Sequence, residues 1–395
     1  MKRQKKSEIN IQDGDTDRLT SLPDHLLLHI IEFMNIKHSV QTCVLSKRWK
    51  DLWKSITNLM LRHEMYLNRS DIFNKFVFRI LYGRDNSLPL HSLEYDVVDP
   101  SKTAVLDVMK YAASHNVQQL IVHVNSLFKE EDFEFPPSIF YCHSLTFLKL
   151  DFTHMFPFFL NRSKNMFPKS LNLPALKTLH LISITFTTSN NGCAEPFSTC
   201  NMLNTLLIMS CYLEDDAQTL CISNSNITSL TVGGTKKYEE AHNYKVVFCT
   251  PKLTSLTITG RPTYLAPSAC NLPFIEEVNV DYTFLYIPYE GLVMSSWLQL
   301  LANVKIMTLS FHTLEQILSV LKNNGLVKNQ PPCFVRLKSL KVELRCDSKI
   351  SSEEVRGMVN YLLQNSPQIK VDIIKQPCGS GTFRECCYAK FEAAD

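Results

Sequence analysis

The sequence predicts an α/β fold: a small three-helix head, then a solenoid of short repeats bent into a horseshoe, closed by a helix and a strand. Three observations predict it. Apolar residues at helical spacing crowd residues 17–61. From residue 90 onward the pattern apolar-x-x-apolar-x-apolar recurs. Near the end, Ser351 and Glu354 stand at capping-box spacing ahead of an apolar helical stripe.

In the head, Pro23 suits the first turn of a helix. Leu26, Leu27, Ile30, Ile31 and Met34 form its apolar stripe, because residues three and four apart share a helix face. Lys37 to Val44 makes a second short helix. Ser46 is the expected N-cap of a third, which ends near Ile56 and sets Trp49, Leu52 and Trp53 on one side. Three short helices are marginal alone, so the head must lean on the rest of the chain or on a partner. One Trp can close the small core while the edge of the other faces outward. Residues 69–82 read as another helix, with Phe73, Phe76, Val77, Ile80 and Leu81 as its stripe, joining the head to the repeats.

The repeated pattern appears as "LHSLEY" at 90, "VQQLIV" at 117, "LTFLKL" at 145, "LKTLHL" at 176 and "LNTLLI" at 203. It continues as "ITSLTV" at 227, "LTSLTI" at 253, "IEEVNV" at 275, "VKIMTL" at 304 and "LKSLKV" at 337. A chain this rich in aliphatic residues meets such a pattern by chance several times. The spacing carries the inference: successive starts lie 22 to 33 residues apart, around the period of leucine-rich repeats. In "LNTLLIMSC", Cys211 falls where the chain should turn away from its strand. A lone strand cannot bury its apolar face, but stacked neighbours share a continuous core. Prolines ahead of several segments help end the preceding convex element, and residues 103–115 have the period of a convex helix. At the far end, Val355, Met358, Val359, Leu362 and Leu363 line the capped helix, and "IKVDII" is a last strand.

Residues that alternate with the core positions should line the concave face. They include Glu94 and Asp96, then Phe147, Lys149 and Asp151, and the candidate binding residues Thr205, Leu207, Met209, Thr257, Glu277, Asn279 and Asp281. Leu207 and Met209 stand out as apolar where solvent is expected, and an exposed apolar strip with a polar rim suits a protein interface.

Composition narrows the function. A formal net charge of +3 over 395 residues gives no field that argues for nucleic acid. Only 11 glycines are present, with neither a GxxxxGK[ST] nor a GxGxxG motif, and Gly233-Gly234 reads as a turn. The 13 cysteines lack framework spacing and any CxxC, which fits free thiols in a reducing compartment and leaves the N-x-[ST] matches at Asn68, Asn161 and Asn226 as chance. No secretory h-region precedes the head, and "HLLLHIIEFM" is too short to span a bilayer. "KRQKK" suits a nuclear import signal or a solvated tail, so nucleus and/or cytoplasm is the expected location. His25, His29 and Glu32 share a helix face, but without a fourth ligand a solvated face explains them. Cys221, Cys249 and Cys386 read as inert thiols. No catalytic residue, metal or cofactor is expected.

Residues 22–53 resemble an F-box, through Leu22, Pro23, Asp24, Leu26, Ile30, Phe33, Val40 and "VLSKRWKDLW" from Val44 to Trp53. The whole chain resembles the plant F-box/leucine-rich-repeat proteins. That resemblance implies docking of the F-box on a Skp-type adaptor, and through it on a cullin-RING ubiquitin ligase, with the repeats recruiting a protein client. It implies an adaptor without chemistry of its own. It assigns adaptor contacts to Leu22, Pro23, Leu26, Ile30, Val44, Leu45, Arg48 and Trp49. Asn35-Ile36 stand where the family usually has Pro and a small residue, and His25 and His38 where acids are common. These departures predict a loosened junction between the first two helices, and they keep open an alternative, a repeat-based scaffold with a degenerate F-box. Many family members carry a further C-terminal domain for which the residues here are too few. The expected division is a disordered basic tail at 1–16, the F-box at 17–62, a helical connector at 63–89 and leucine-rich repeats at 90–345. A capping helix and strand occupy 346–375, and a loose tail 376–395.

Overall fold

A computed structural model describes residues 19, 21–63, 70–125, 132–153, 164–188, 192–214, 217–234, 245–260, 264–265, 272–281, 297, 303–323, 333–345 and 350–375. Both expected tails, 1–16 and 376–395, with Cys386, lie outside these residues. Twelve parallel strands stack side by side in chain order. They are Asn58–Arg62, Ser92–Val98, Gln119–Asn125, Phe147–Asp151, Thr178–Ile182 and Thr205–Met209, then Ser229–Gly234, Ser255–Gly260, Glu277–Asp281, Ile306–Ser310, Ser339–Leu344 and Lys370–Lys375. Each of the ten repeated segments supplies one strand, which begins two residues into the motif. The first apolar residue of the motif, such as Leu90, Leu145 or Leu203, is buried beside the strand start. The next two, such as Leu179 and Leu181, are buried within it. The residues between them face the other way, so a period of two is imposed on every strand.

The ladder starts earlier than the sequence predicts. Asn58–Arg62, expected to belong to a helical head, is the first strand and pairs in parallel with Ser92–Val98. Leu59 and Leu61 are buried and Met60 is exposed. Leu52, Ile56 and Leu59 also fall at i, i+4 and i+7, so a helical period runs through the segment and masks the alternation. The expected connector at 63–89 is likewise part of the solenoid. Helix α3, Ser70–Gly83, crosses between the first two strands and buries Phe73, Val77, Ile80 and Leu81. Helix α4, Lys102–Ser114, is the next crossover, with the Ser101 hydroxyl accepting from the Ala104 amide at its start.

Beyond α4 the convex side changes character. Two four-stranded sheets of short parallel strands replace the helices. One comprises Phe133–Glu134, Asn165–Met166, Thr185–Phe186 and Tyr212–Leu213; the other Cys193–Ala194, Thr219–Ser223, Lys245–Cys249 and Tyr264–Leu265. Phe140, Phe167, Phe186 and Phe197 meet edge-to-face beneath them, with successive ring centroids 5.3, 5.6 and 5.9 Å apart. These aromatic edges fill the interior that a row of helices would otherwise occupy.

The helix Phe311–Asn323 was not expected; it buries Leu314, Ile317 and Leu318. The helix Ser352–Leu362 carries both halves of the capping box, and Lys370–Lys375 closes the ladder. Gly233-Gly234 is no turn. Both residues lie in the strand Ser229–Gly234, where a Cβ on Gly233 would sit 2.1 Å from the Thr259 carbonyl oxygen.

Candidate protein-binding surfaces

The apolar stripe of the first head helix divides into two. In α1, Asp24–Glu32, Leu27 and Ile31 are fully buried, while Leu26 and Ile30 point outward one position away. Phe33 continues the outward row at 81% exposure. Helix α2, Ile36–Gln41, runs into a 3-10 helix, Thr42–Val44, which turns Val44 and Leu45 outward, Val44 at 83% exposure. Pro23 is exposed and Leu22 half-buried against the core. The head therefore shows solvent an apolar row of Leu26, Ile30 and Phe33 along its first helix, with Val44 and Leu45 outward beyond the second. Clustered exposed aliphatic and aromatic side chains of this kind mark an interaction site.

Three expectations for the head are corrected. Residues 46–56 form turns and the short 3-10 helix Leu52–Ser55, not an α-helix, and the Ser46 hydroxyl caps nothing. Trp49, assigned to the adaptor, is 4% exposed and closes the head's own core with Leu27 and Ile31, because the turns swing its ring inward. The helix junction is not loosened. The Asn35 side chain accepts from the Lys37 amide and caps α2, and Ile36 is buried. Arg48, also assigned to the adaptor, forms an ion pair with Asp24 at 2.6 Å and donates to the Leu22 carbonyl. It holds the entry to α1 beside the "VLSKR" turn.

The head leans on the solenoid, as its size requires. Trp53 lies over Gly83, where an added Cβ would come 2.8 Å from the ring. The buried Arg84 donates to the carbonyls of Ile56, Leu88 and Pro89 at 2.8, 3.0 and 2.7 Å. Glu32 accepts from the Thr57 hydroxyl at 3.1 Å, and His29 packs edge-on to Phe33. Those contacts give two of the three candidate metal ligands on α1 a structural role, and among the described residues no cluster fit for a metal forms.

On the concave side, the seven candidate residues lie on three of the ladder's strands, within a run of four neighbouring ones. Register aligns Thr205, Ser229, Ser255 and Glu277 in one row, and Leu207, Thr231, Thr257 and Asn279 in the next. Met209, Gly233, Thr259 and Asp281 make a third. The apolar strip expected here is corrected: Leu207 is only 6% exposed, flanked in register by His180 and Thr231. Met209 stays half-exposed, its sulfur accepting from the Thr259 hydroxyl at 3.4 Å. The exposed part of these rows is a polar floor of Thr, Asn and Asp around one methionine.

Toward the N-terminal end the face is charged. Arg62 grips Glu94 through two hydrogen bonds at 2.8 and 3.2 Å. His123 lies 3.6 Å from the fully buried Asp151 carboxylate. Cys211 sits at the turn out of its strand, as expected; burial pushes its thiol up to about 12, and it donates to the Leu181 and Met209 carbonyls. Sequence reasoning missed Phe33 as a member of the outward face. The signal was its position three residues after Ile30 and seven after Leu26. It also missed a thiol pair, Cys193 and Cys221, on the second small sheet.

Comparison with known proteins matches two family models. Residues 19–60 match the F-box domain. Residues 106–270 match the model described as FBD-associated F-box protein At5g56370, LRR repeats. Similar proteins from Arabidopsis thaliana include F-box/LRR-repeat protein At4g14103, 28% identical over 95% of this chain and 97% of the relative. Putative F-box protein At1g58310 is 27% identical over 91% of this chain and 73% of its own length. F-box/LRR-repeat protein At4g14096 is 31% identical over 49% and 40%. These matches indicate no catalytic family, and no described helix is long and apolar enough to cross a membrane.

Proposed function

We propose that this chain, an F-box/leucine-rich-repeat protein of the plant family, is the substrate-recognition subunit of an SCF-type ubiquitin ligase. The head docks on a Skp-type adaptor, which joins it to a cullin, and the repeats hold a protein client in the nucleus, the cytoplasm or both. One observation carries this reading. The head buries Leu27, Ile31, Ile36 and Trp49 in its own core, yet leaves Leu26, Ile30, Phe33, Val44 and Leu45 outside. A head that needed those side chains for stability would have turned them in. Placed outward, they offer the apolar anchors that dominate association energies.

The adaptor contacts are Leu22, Pro23, Leu26, Ile30, Phe33, Val44 and Leu45. Arg48 positions the Leu22-Pro23 entry, and Trp49 supports the face from inside. For the client, the half-exposed Thr205, Met209, Thr257, Asn279 and Asp281 and the exposed Glu277 form the recognition floor. The alternative, a scaffold with a decayed F-box, was motivated by Asn35-Ile36 and His38; the Asn35 cap on the second helix favours the adaptor reading over it. The test is affinity purification of the tagged chain under proteasome inhibition. Co-purification of a Skp-type adaptor and a cullin is the expected result. Recovery of other partners with neither of these, from folded protein, would contradict it.

A further inference from the structure

On the solvent side of the second small sheet, three thiols line up. Cys193 lies in the strand Cys193–Ala194, Cys221 in Thr219–Ser223 and Cys249 in Lys245–Cys249. Thr219 pairs with Cys193, so Cys221 is two residues further along its strand and diagonal to Cys193. Ser223 pairs with Cys249, which puts Cys249 on the same diagonal one strand on. The Sγ atoms of Cys193 and Cys221 are 3.4 Å apart, in contact. Both residues are half-exposed and Cys249 is exposed, whereas Cys142, Cys200 and Cys211 are buried.

We propose that Cys193 and Cys221 are a reversible oxidation site, a thiol pair that hydrogen peroxide converts to a disulfide. The Cys193 thiolate attacks a peroxide oxygen and breaks the O–O bond, giving a sulfenic acid and, with one proton, water. The Cys221 thiol then attacks the sulfenic sulfur, forming the S–S bond; the hydroxyl leaves with the thiol proton as a second water. Two thiols lose two electrons, and one peroxide gains them. Burial, reinforced by the Cys193 thiol itself, pushes the Cys221 thiol up to about 12, which suits it to the second, resolving attack rather than the first.

Geometry also makes the bond labile. A diagonal pair on parallel strands starts with its Cα atoms further apart than an unstrained disulfide prefers. Closing the bond must slide the two-residue strand that carries Cys193 along its paired neighbour, and a strained, partly exposed disulfide is the easily reduced kind. The site is therefore suited to cycling rather than to permanent stapling. It lies on the convex side, away from the concave rows assigned to the client.

The experiment uses the full chain. Reduced protein is exposed to hydrogen peroxide at a few equivalents, quenched, alkylated under denaturing conditions and digested after Glu214, which separates the two cysteines. The expected product is a cross-linked pair localised by fragmentation to Cys193 and Cys221 and released by dithiothreitol. Cys221→Ser should abolish it, with the fold checked by circular dichroism. Cys249→Ser should leave it in place. Peroxide that yields only single-cysteine sulfinic acid, or a disulfide joining other residues, overturns the proposal, as does a cross-link that persists in Cys193→Ser. Because the readout is covalent and needs no ligase, its failure leaves the adaptor role untouched.

Discussion

Leu179 and Leu256 show what one side chain contributes. Each is fully buried at the second position of its strand, with core residues of the flanking strands beside it. Leu179→Ala or Leu256→Ala should each cost about 2–5 kcal/mol in denaturant unfolding. Lys177, exposed two residues earlier, should change nothing measurable when cut to Ala. His63 behaves differently. It is buried at the end of the first strand, near the Ser70 hydroxyl at 3.3 Å. Burial pulls its imidazole below the ordinary value near 6.5, and the nearby Asp96 carboxylate only partly opposes this. Below about pH 6.5 the unfolded chain then takes up a proton that the folded chain refuses. Stability should therefore fall as the pH drops from about 6.5 toward the folded-state value, and His63→Gln should flatten that slope. An unchanged slope in the variant would assign the acid sensitivity elsewhere.

Among the elements, strands were more legible than helices. Every repeated segment became a strand because its three apolar positions are spaced by the need to bury both the strand and its approach. The helix Ser352–Leu362 was legible through Ser351 and Glu354. By contrast, Asn58–Arg62 was hidden by a helical period running through Leu52, Ile56 and Leu59. The two-residue convex strands are too short to carry any period. Gly233-Gly234 misled because a Gly pair marks a turn more often than a close approach between strands. That close approach is testable: Gly233→Ala drives a Cβ into the Thr259 backbone, and a loss of about 3 kcal/mol or more is expected in thermal unfolding. Gly357→Ala, in the exposed interior of a helix with nothing within 4 Å of the new Cβ, should instead raise stability by about 0.5–1 kcal/mol.

At the scale of the whole molecule, the head and the ladder act as one body with two separate faces. Arg84 and Trp53 fix the junction. Arg84→Met should strip four carbonyls of a charged donor and cost about 3 kcal/mol or more, read as a lowered midpoint of the full chain. The outward face of the head was partly legible, since the resemblance named Leu26, Ile30, Val44 and Leu45. The inward turn of Trp49 was not, because helical periodicity cannot describe the turns at 46–51. The concave face was legible in register and not in exposure. Alternation says which way Leu207 points, not that His180 and Thr231 close over it.

The division of labour between these faces is tested most directly by calorimetric titration of the purified full chain with a Skp-type adaptor. Three proteins are compared: wild type, Val44→Ala with Leu45→Ala, and Asn279→Ala with Asp281→Ala. Two interface anchors at about 1.4 kcal/mol each correspond to a loss of about a hundredfold in affinity for the head variant. The concave variant shares no contact with that face and should bind like wild type. Equal affinity of all three, or a loss confined to the concave variant, would contradict docking through the outward face of the head.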